Sequence, residues 1–187
     1  MVMGLVTHER TLSEDEYIRF ELESDIRHEY VNGKLIDMPG ESDLNNQLAL
    51  NCCFILKMLL KNKGYIFFVE GVKIKVPNEN KYFYPDVFIT KEPLSAGTVY
   101  IKERPELIVE VLSESTRKYD TVDKFINYQK FNSLQYYILV EPETVLISVF
   151  SRDENDDWRL HTYLKETDII QLPKLGISFT AAEIYSF

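Results

Sequence analysis

Apolar residues recur along this chain with two spacings, one typical of helices and one typical of short strands. Helical spacing, in which apolar residues share one face, predicts helices at residues 13–24, 43–62 and 117–131. Short apolar or alternating runs predict strands at residues 27–30, 34–38, 65–70, 72–76, 87–90, 107–112, 136–140, 145–150 and 158–163. The last residues, 175–187, predict a short strand and a helical turn. This order of elements is typical of a mixed α/β fold.

Local signals set the ends and the faces of several elements. Ser13-x-x-Glu16 has the form of a capping box at a helix start, and Asn32-Gly33 is the strongest short hairpin signal in the chain. Residues 65–70 and 72–76 are predicted to form a pair of strands. The predicted apolar face of the second helix consists of Leu44, Leu48, Cys52, Ile55 and Leu59. That of the third helix consists of Tyr119, Val122, Phe125, Ile126 and Tyr128.

Two predicted strands carry an acidic residue where an apolar one is expected. The run Leu107–Leu112 is apolar at every position except Glu110, and Pro85-Asp86 opens the apolar run Val87–Ile89. Apolar residues occupy both faces of the first run, which is typical of a central strand covered on each side. An ionised carboxylate buried there costs several kcal/mol or more unless it is paired or binds a metal. The two carboxylates therefore predict a cation site.

Length and composition predict a single globular domain over residues 1–187, with 45% apolar and 13% aromatic residues. No apolar run approaches the ~18 residues of a membrane span, and Met1–Arg10 has neither the basic start nor the apolar core of a signal peptide. Cys52 and Cys53 are adjacent, so we expect a reduced, cytoplasmic protein without a disulfide framework. The net charge of −9 disfavours tight DNA binding by an isolated subunit.

Three segments follow one another in an ordered set: 27–35 (RHEYVNGKL), 84–87 (YPDV) and 108–116 (IVEVLSEST). The set continues through Asp120, Lys124, Tyr128 and residues 133–140. It resembles the PD-(D/E)XK nuclease superfamily and, more closely, a bacterial family known as the "putative restriction endonucleases". The likeness covers nearly the whole chain. It implies a restriction-endonuclease-like core, with a mixed central β-sheet flanked by helices and an added N-terminal hairpin.

The resemblance implies hydrolysis of phosphodiester bonds with one or two Mg²⁺ or Mn²⁺ ions. Such ions activate a water molecule and offset the negative charge of the transition state, and they prefer carboxylate oxygens. Asp86 and Glu110 match the family's metal ligands, with a backbone carbonyl of Val111 as a further oxygen. They are also expected to be catalytic residues, since the metal they hold carries the chemistry.

The chain departs from the superfamily in the position of its lysine. The signature places a lysine two residues beyond the second acid, but that position holds Leu112. The family resemblance implies a migrated catalytic lysine, and Lys124 is the match. Asp120 and Tyr128 lie four residues before and after it, so the three share one helix face. Lys118 is the alternative if the phase of the helix differs.

Each candidate residue also has a structural interpretation. Asp86 after a proline suits a turn that opens a strand, and Glu110 suits a buried ion pair with Lys124 without catalysis. A lysine such as Lys124, taken alone, is more often a surface residue. Glu29 matches a family acid before the hairpin, but an exposed strand charge explains it equally well. Asn45 stands where many relatives have histidine, so the function of that histidine does not transfer.

Two hypotheses follow for the function. The first is a metal-dependent endonuclease that hydrolyses DNA, acts as a homodimer because a duplex has two strands to cut, and has no membrane partner. The second is a non-catalytic binding or regulatory protein that retains the nuclease fold. An electropositive groove leading to the two acids favours the first hypothesis, whereas an acidic or occluded mouth favours the second. Two interpretations remain open for the aromatic residues 82–84: their rings stack on bases, or they pack within a strand.

Overall fold

The structure is a computed structural model that describes residues 11–38, 40–94 and 100–186 of the 187-residue chain. The expected absence of a signal peptide concerns the first ten residues and lies outside this part. The helices are α1 (Glu14–Glu23), α2 (Asp43–Leu59), a π-helical segment (Tyr119–Lys124) that continues into α3 (Phe125–Tyr128), and α4 (Ala181–Ile184). None of the described helices is long and apolar enough to cross a membrane.

The described strands form three sheets. The strands are β1 (His28–Val31), β2 (Lys34–Asp37), β3 (Ile66–Val69), β4 (Lys73–Lys75), β5 (Lys81–Phe83), β6 (Val87–Thr90), β7 (Ile101–Lys102), β8 (Pro105–Val111), β9 (Tyr136–Val140), β10 (Ile147–Arg152), β11 (Trp158–Tyr163), β12 (Ile169–Leu172) and β13 (Ile177–Thr180). A six-stranded sheet has the order β11-β10-β9-β8-β6-β3, and a five-stranded sheet has the order β2-β1-β5-β4-β7. β12 and β13 pair with each other.

The six-stranded sheet is mixed and lies between layers. β8 and β9 are parallel, and the other neighbouring strands are antiparallel. α2 and α4 cover one face with an aliphatic core. α3 and parts of the five-stranded sheet cover the other face with a core rich in aromatic rings. The predicted mixed α/β fold, with a central sheet flanked by helices, is confirmed, and β8 is buried on both faces as its sequence predicted.

The N-terminal signals form the structures that they predict. Ser13 caps α1 through a capping box, in which the Ser13 N–H donates to Glu16 Oε2 at 2.8 Å. β1 and β2 form an antiparallel hairpin. Asn32 and Gly33 at its turn have φ of +50° and +96°, which is the backbone conformation that a tight two-residue hairpin turn favours.

The predicted apolar face of α2 is partly wrong. Leu48, Cys52 and Ile55 are buried as predicted, but Leu44 and Leu59 are exposed. The face that packs on the sheet consists of Asn45, Leu48, Ala49, Cys52, Ile55 and Leu56. Leu44 and Leu59 fall outside this stripe, which includes the smaller residues Asn45, Ala49 and Cys52.

The predicted apolar face of the third helix is also partly wrong. Val122 and Ile126 are exposed, and the π-helical segment buries Asp120 and Lys124 instead. Asp120, Lys124 and Tyr128 are four residues apart and are all buried, so the face that turns toward the sheet keeps the four-residue spacing, and Val122 and Ile126 lie on the other side. The helix therefore presents a polar pair toward the sheet.

The chain between residues 65 and 76 forms the two predicted strands, but they do not pair with each other. β3 joins the edge of the six-stranded sheet beside β6, whereas β4 joins the five-stranded sheet between β5 and β7. The chain turns between them at Glu70 and Gly71, which both have positive φ. This turn directs the chain from one sheet into the other.

Candidate active site

Asp86 and Glu110 face each other from neighbouring strands. Val87 pairs with Val109 in the antiparallel ladder, so the next residues outward are Asp86 and Glu110. The Asp86 N–H donates to Glu110 Oε2 at 3.3 Å, and the Val111 N–H donates to Asp86 Oδ2 at 2.6 Å. Both acids are buried, at 6% and 1% exposure. Each carboxylate is thus held by the backbone of the opposite strand.

The Lys124 ammonium lies among three carboxylates. Its Nζ is 3.1 Å from Glu110 Oε1, 3.1 Å from Asp120 Oδ1 and 3.2 Å from Glu29 Oε1. The lysine is buried, and an unpaired ammonium in such a place would cost several kcal/mol. The π-helical segment carries both Asp120 and Lys124, so the lysine points back toward the end of β8.

Two further hydrogen bonds complete the surroundings of these acids. The Tyr128 hydroxyl donates to Glu110 Oε1 at 2.8 Å, and the Tyr84 N–H donates to Glu29 Oε1 at 3.0 Å. Glu29 is buried, so its interpretation as an exposed strand charge is wrong. Tyr84 is buried together with Tyr82 and Phe83, so packing within and beside β5 occupies these rings and the proposed base stacking does not apply.

The charges of the cluster change the pKa of each member. Burial raises the pKa of Glu110; Lys124 opposes this rise, and the charge of Asp86 adds to it. Burial and then the charge of Glu41 raise the pKa of Asp86. Burial alone would lower the pKa of Lys124, but Asp120, Glu110 and Glu29 hold it well above its usual value. The cluster therefore contains more negative charge than its one lysine neutralises.

These side chains line a cleft of about 330 Å³. Lys124 is the one basic side chain among the described residues that line it. The acidic side chains that line it are Glu29, Asp37, Glu41, Asp86, Glu110, Glu114, Asp120 and Glu143. The mouth is therefore acidic, which is the observation expected for the second hypothesis rather than for a nuclease with a basic groove.

Glu41 and Asn45 approach the two acids from the start of α2. The carboxyl groups of Glu41 and Asp86 interact through a hydrogen bond and through their charges. Asn45 is buried, and its Nδ2 donates to the Leu112 carbonyl at 3.3 Å and to the Val111 carbonyl at 3.5 Å. Asn45 therefore joins the first turn of α2 to the end of β8 through its amide.

The donor set suits a hard divalent cation. Carboxylate oxygens of Asp86 and Glu110, with the carbonyl oxygen of Val111 nearby, are ligands that Mg²⁺ and Mn²⁺ prefer. Burial raises the pKa of both acids, and the charge of Glu41 adds to the rise at Asp86, so a divalent cation would favour their ionised forms. Within residues 11–38, 40–94 and 100–186, no three Asp, Glu, His or Cys side chains are arranged as a complete metal cluster. A bound ion would take its remaining ligands from waters or substrate oxygens.

The structure brings together Asp86, Glu110 and Lys124, which are the three site residues predicted from the sequence. Glu110 and Lys124 form a buried ion pair. This contact is expected both for a purely structural ion pair and for a catalytic site, so it does not distinguish the two interpretations. Lys118 is exposed and lies outside the cleft lining. Sequence reasoning missed Glu41, because a polar residue before a helix gives no sign of the strand end that it approaches.

The fold is of the restriction-endonuclease-like type, and the comparisons with known proteins agree. The family model Uma2, described as "Putative restriction endonuclease", matches residues 14–182. The chain belongs to this family. Two Synechocystis proteins described as uncharacterized are similar: slr1290 is 30% identical over 93% of this chain and 91% of its own length, and sll1609 is 28% identical over 94% and 100%.

A solved structure shares the fold. It is the crystal structure of a protein from Anabaena variabilis described as a putative nuclease belonging to DUF820. The TM-score is 0.75 and the sequence identity is 14%, with coverage of 93% of this chain and 97% of that chain. At this identity the likeness supports the fold and does not transfer residue functions.

Proposed function

We propose that this chain is a metal-dependent nuclease that hydrolyses phosphodiester bonds in DNA. The observation that carries the proposal is the meeting of Asp86 and Glu110 on neighbouring strands, with the Lys124 ammonium 3.1 Å from Glu110. Bound Mg²⁺ or Mn²⁺ would supply an activated water and a counter-charge for the phosphate. Membership in a family of restriction-endonuclease type supports the proposal.

Each residue of the cluster has its own function in the proposed mechanism. Asp86 and Glu110 are the proposed ligands, and backbone N–H groups that donate to them hold both carboxylates at the ends of their strands. Lys124 is the proposed catalytic lysine, which stabilises the charge that the phosphate gains in the transition state. Glu29 and Asp120 hold the ammonium by contacts that do not depend on Glu110. Lys124 thus stays in place when Glu110 serves a metal.

Cleavage of plasmid DNA with Mg²⁺ or Mn²⁺ tests the proposal. Lys124→Ala should lower cleavage by ~10²-fold or more, the usual effect of removing one electrostatic catalytic group. It should leave Mn²⁺ binding, measured by calorimetry, intact or slightly tighter, because two cations repel each other. Lys118→Ala is the matched control and should change cleavage far less. Equal cleavage by both variants and the wild type would remove lysine from the mechanism.

The acidic cleft supports a second candidate, a non-catalytic binding or regulatory protein with the nuclease fold. A lining with one basic side chain among the described residues attracts cations and repels a phosphate backbone. This candidate predicts Mn²⁺ binding at Asp86 and Glu110 without hydrolysis of any nucleic acid. A wild-type protein that cuts neither DNA nor RNA with any divalent ion, while folded and metal-bound, would establish it over the nuclease.

The cellular setting follows from the proposed activity. We propose a cytoplasmic location, where DNA is accessible in bacteria, and a homodimer that presents two sites to a duplex. Cross-linking in intact cells, followed by fractionation, tests the location and the assembly together.

A further inference from the structure

The outer side of α2 carries large apolar side chains that face solvent. Phe54 is 66% exposed, Met58 59% and Leu50 43%. The opposite side of the same helix packs on the six-stranded sheet, so these three residues are not required for the core. A contiguous apolar stripe on a folded protein is typical of an interaction site.

The three apolar residues are evenly spaced along α2, with Phe54 in the middle. Leu50, Phe54 and Met58 lie four residues apart, so they form one row of about 12 Å along the helix. Phe54 is the middle residue of the row. If two copies of α2 pack antiparallel around a two-fold axis at Phe54, Phe54 meets its own copy and Leu50 meets Met58. The row is thus complementary to itself.

The charges at the two ends of α2 favour the same arrangement. Asp43 lies in the first turn, Lys57 lies in the last turn, and Lys61 lies just beyond the end of the helix. An antiparallel pair places the acidic end of one copy beside the lysines of the other, and the helix dipoles also oppose each other favourably. A parallel pair would bring lysines against lysines. Gln47 of one copy meets Lys61 of the other in the antiparallel pair.

We propose that the row Leu50, Phe54 and Met58 on α2 is a homodimer interface, occupied by the antiparallel α2 of a second copy. Helices that pack in this way lie about 8–10 Å apart. The interface is small compared with those of permanent dimers, so dissociation on the order of 10 µM is expected. The proposal deepens the homodimer of the proposed function, but none of the three residues lines the cleft, so the interface can fail while the nuclease activity stands.

Sedimentation velocity at concentrations from about 1 to about 200 µM tests the interface, since a dimer of this strength dissociates within that range. The wild type should shift from monomer to dimer. Phe54→Glu should weaken the dimer by ~100-fold or more and remain monomeric. Leu160→Glu in β11 is the matched control, because Leu160 is 54% exposed and lies on a different element. It should dimerise like the wild type. Circular dichroism checks that each variant is folded.

A second pair of variants tests the orientation of the helices. Gln47→Glu should tighten the antiparallel dimer by about fivefold at low ionic strength, and Gln47→Lys should weaken it by about fivefold, because residue 47 faces Lys61. In a parallel dimer both variants would weaken association, since residue 47 would face its own copy. A monomeric wild type at about 200 µM, or dissociation by Leu160→Glu rather than Phe54→Glu, would overturn the proposal.

Discussion

The two faces of the six-stranded sheet are packed with different kinds of side chain. Under α2 and α4 the face is almost entirely aliphatic, with Val87, Val109 and Ile138 in its centre. The face under α3 is rich in aromatic rings, including Phe88, Tyr128 and Tyr137. Glu110 belongs to this second face, because it follows Ile108 by two residues in β8.

The difference explains why the charged cluster lies where it does. An aliphatic face offers no partner to a buried carboxylate, whereas Tyr128 and Lys124 on the other face donate to Glu110. The aliphatic face therefore contributes stability that does not depend on pH, and the aromatic face combines packing with groups that titrate. Variants on the two faces should therefore change the free energy of unfolding by different amounts. These changes should also respond differently to pH and to divalent ions.

The largest effect is expected for Lys124→Met. This change keeps the length of the side chain but leaves Glu29, Glu110 and Asp120 without their shared cation. We expect a loss of about 4 kcal/mol in the free energy of unfolding at neutral pH, the typical cost of breaking a buried ion pair. Guanidinium unfolding at two pH values measures it, and the loss should shrink in acid as the carboxylates take up protons. A loss that is equal at both pH values would contradict this account.

A cavity on the aliphatic face should cost slightly less and should not depend on pH. Leu56→Ala removes a buried side chain of α2 that packs on the sheet. We expect a loss of about 3 kcal/mol, within the range for buried leucine. The same guanidinium measurements at acid and neutral pH check it. If the loss changes with pH as much as that of Lys124→Met, the two faces do not differ in the way described.

Removing one hydroxyl from the aromatic face should have an intermediate effect. Tyr128→Phe keeps the ring in place but removes the hydrogen bond to Glu110 Oε1. We expect a loss of about 2 kcal/mol, as for a buried hydrogen bond to a charged acceptor. Tyr137→Phe, whose hydroxyl donates to the Asp120 carbonyl, is a neutral-acceptor control and should lose less. A smaller loss for Tyr128→Phe than for this control would count against a charged Glu110.

The smallest effect is expected for Asp86→Asn, which should stabilise the folded protein near pH 8, whereas the other variants destabilise it. Burial and the charge of Glu41 raise the pKa of Asp86 in the folded protein. A carboxyl group with a raised folded pKa favours the folded state below its unfolded pKa, and this contribution is lost as pH rises through the folded pKa. In EDTA, Asp86→Asn should therefore equal the wild type near pH 4 and exceed it by about 1 kcal/mol or less near pH 8.

Thermal unfolding with and without Mn²⁺ completes this test. Mn²⁺ should raise the melting temperature of the wild type and have little effect on Asp86→Asn, because the variant lacks a charged ligand. Asp43→Asn is the control, since Asp43 is exposed in the first turn of α2. An equal response to Mn²⁺ in all three proteins would show that Asp86 is not a ligand.

Some of the site was visible in the sequence because it breaks a local pattern. Glu110 interrupts an apolar run and Asp86 opens another, whereas Lys124 was assigned through the family resemblance. Each of the two acid signals lies within a few residues, so no knowledge of the fold is needed to see it. Glu29 gave no such signal, because the residues around it in β1 are themselves polar or aromatic and an exposed strand would have the same sequence.

Other features depended on contacts between distant parts of the chain. Whether β4 pairs with β3 or joins another sheet depends on β5 and β7, which lie up to about 30 residues away. Which face of the third helix is buried depends on Glu29 in β1 and Glu110 in β8, whose carboxylates contact Lys124. Local spacing gives the faces of a helix, but it cannot report that a face with Asp120 and Lys124 is buried in preference to one with Val122 and Ile126.

By itself the sequence determined the helices, most of the strands, the hairpin at Asn32-Gly33 and the two acids on buried strands, because backbone geometry sets these within a few residues. It did not predict β5, β7 or β12. The tertiary structure alone decided that Glu29 is buried, that Lys124 has three carboxylate partners and that the cleft is acidic. The physical reason is that the free energy of a charge depends on every group within several ångströms, and these groups come from segments far apart in the chain.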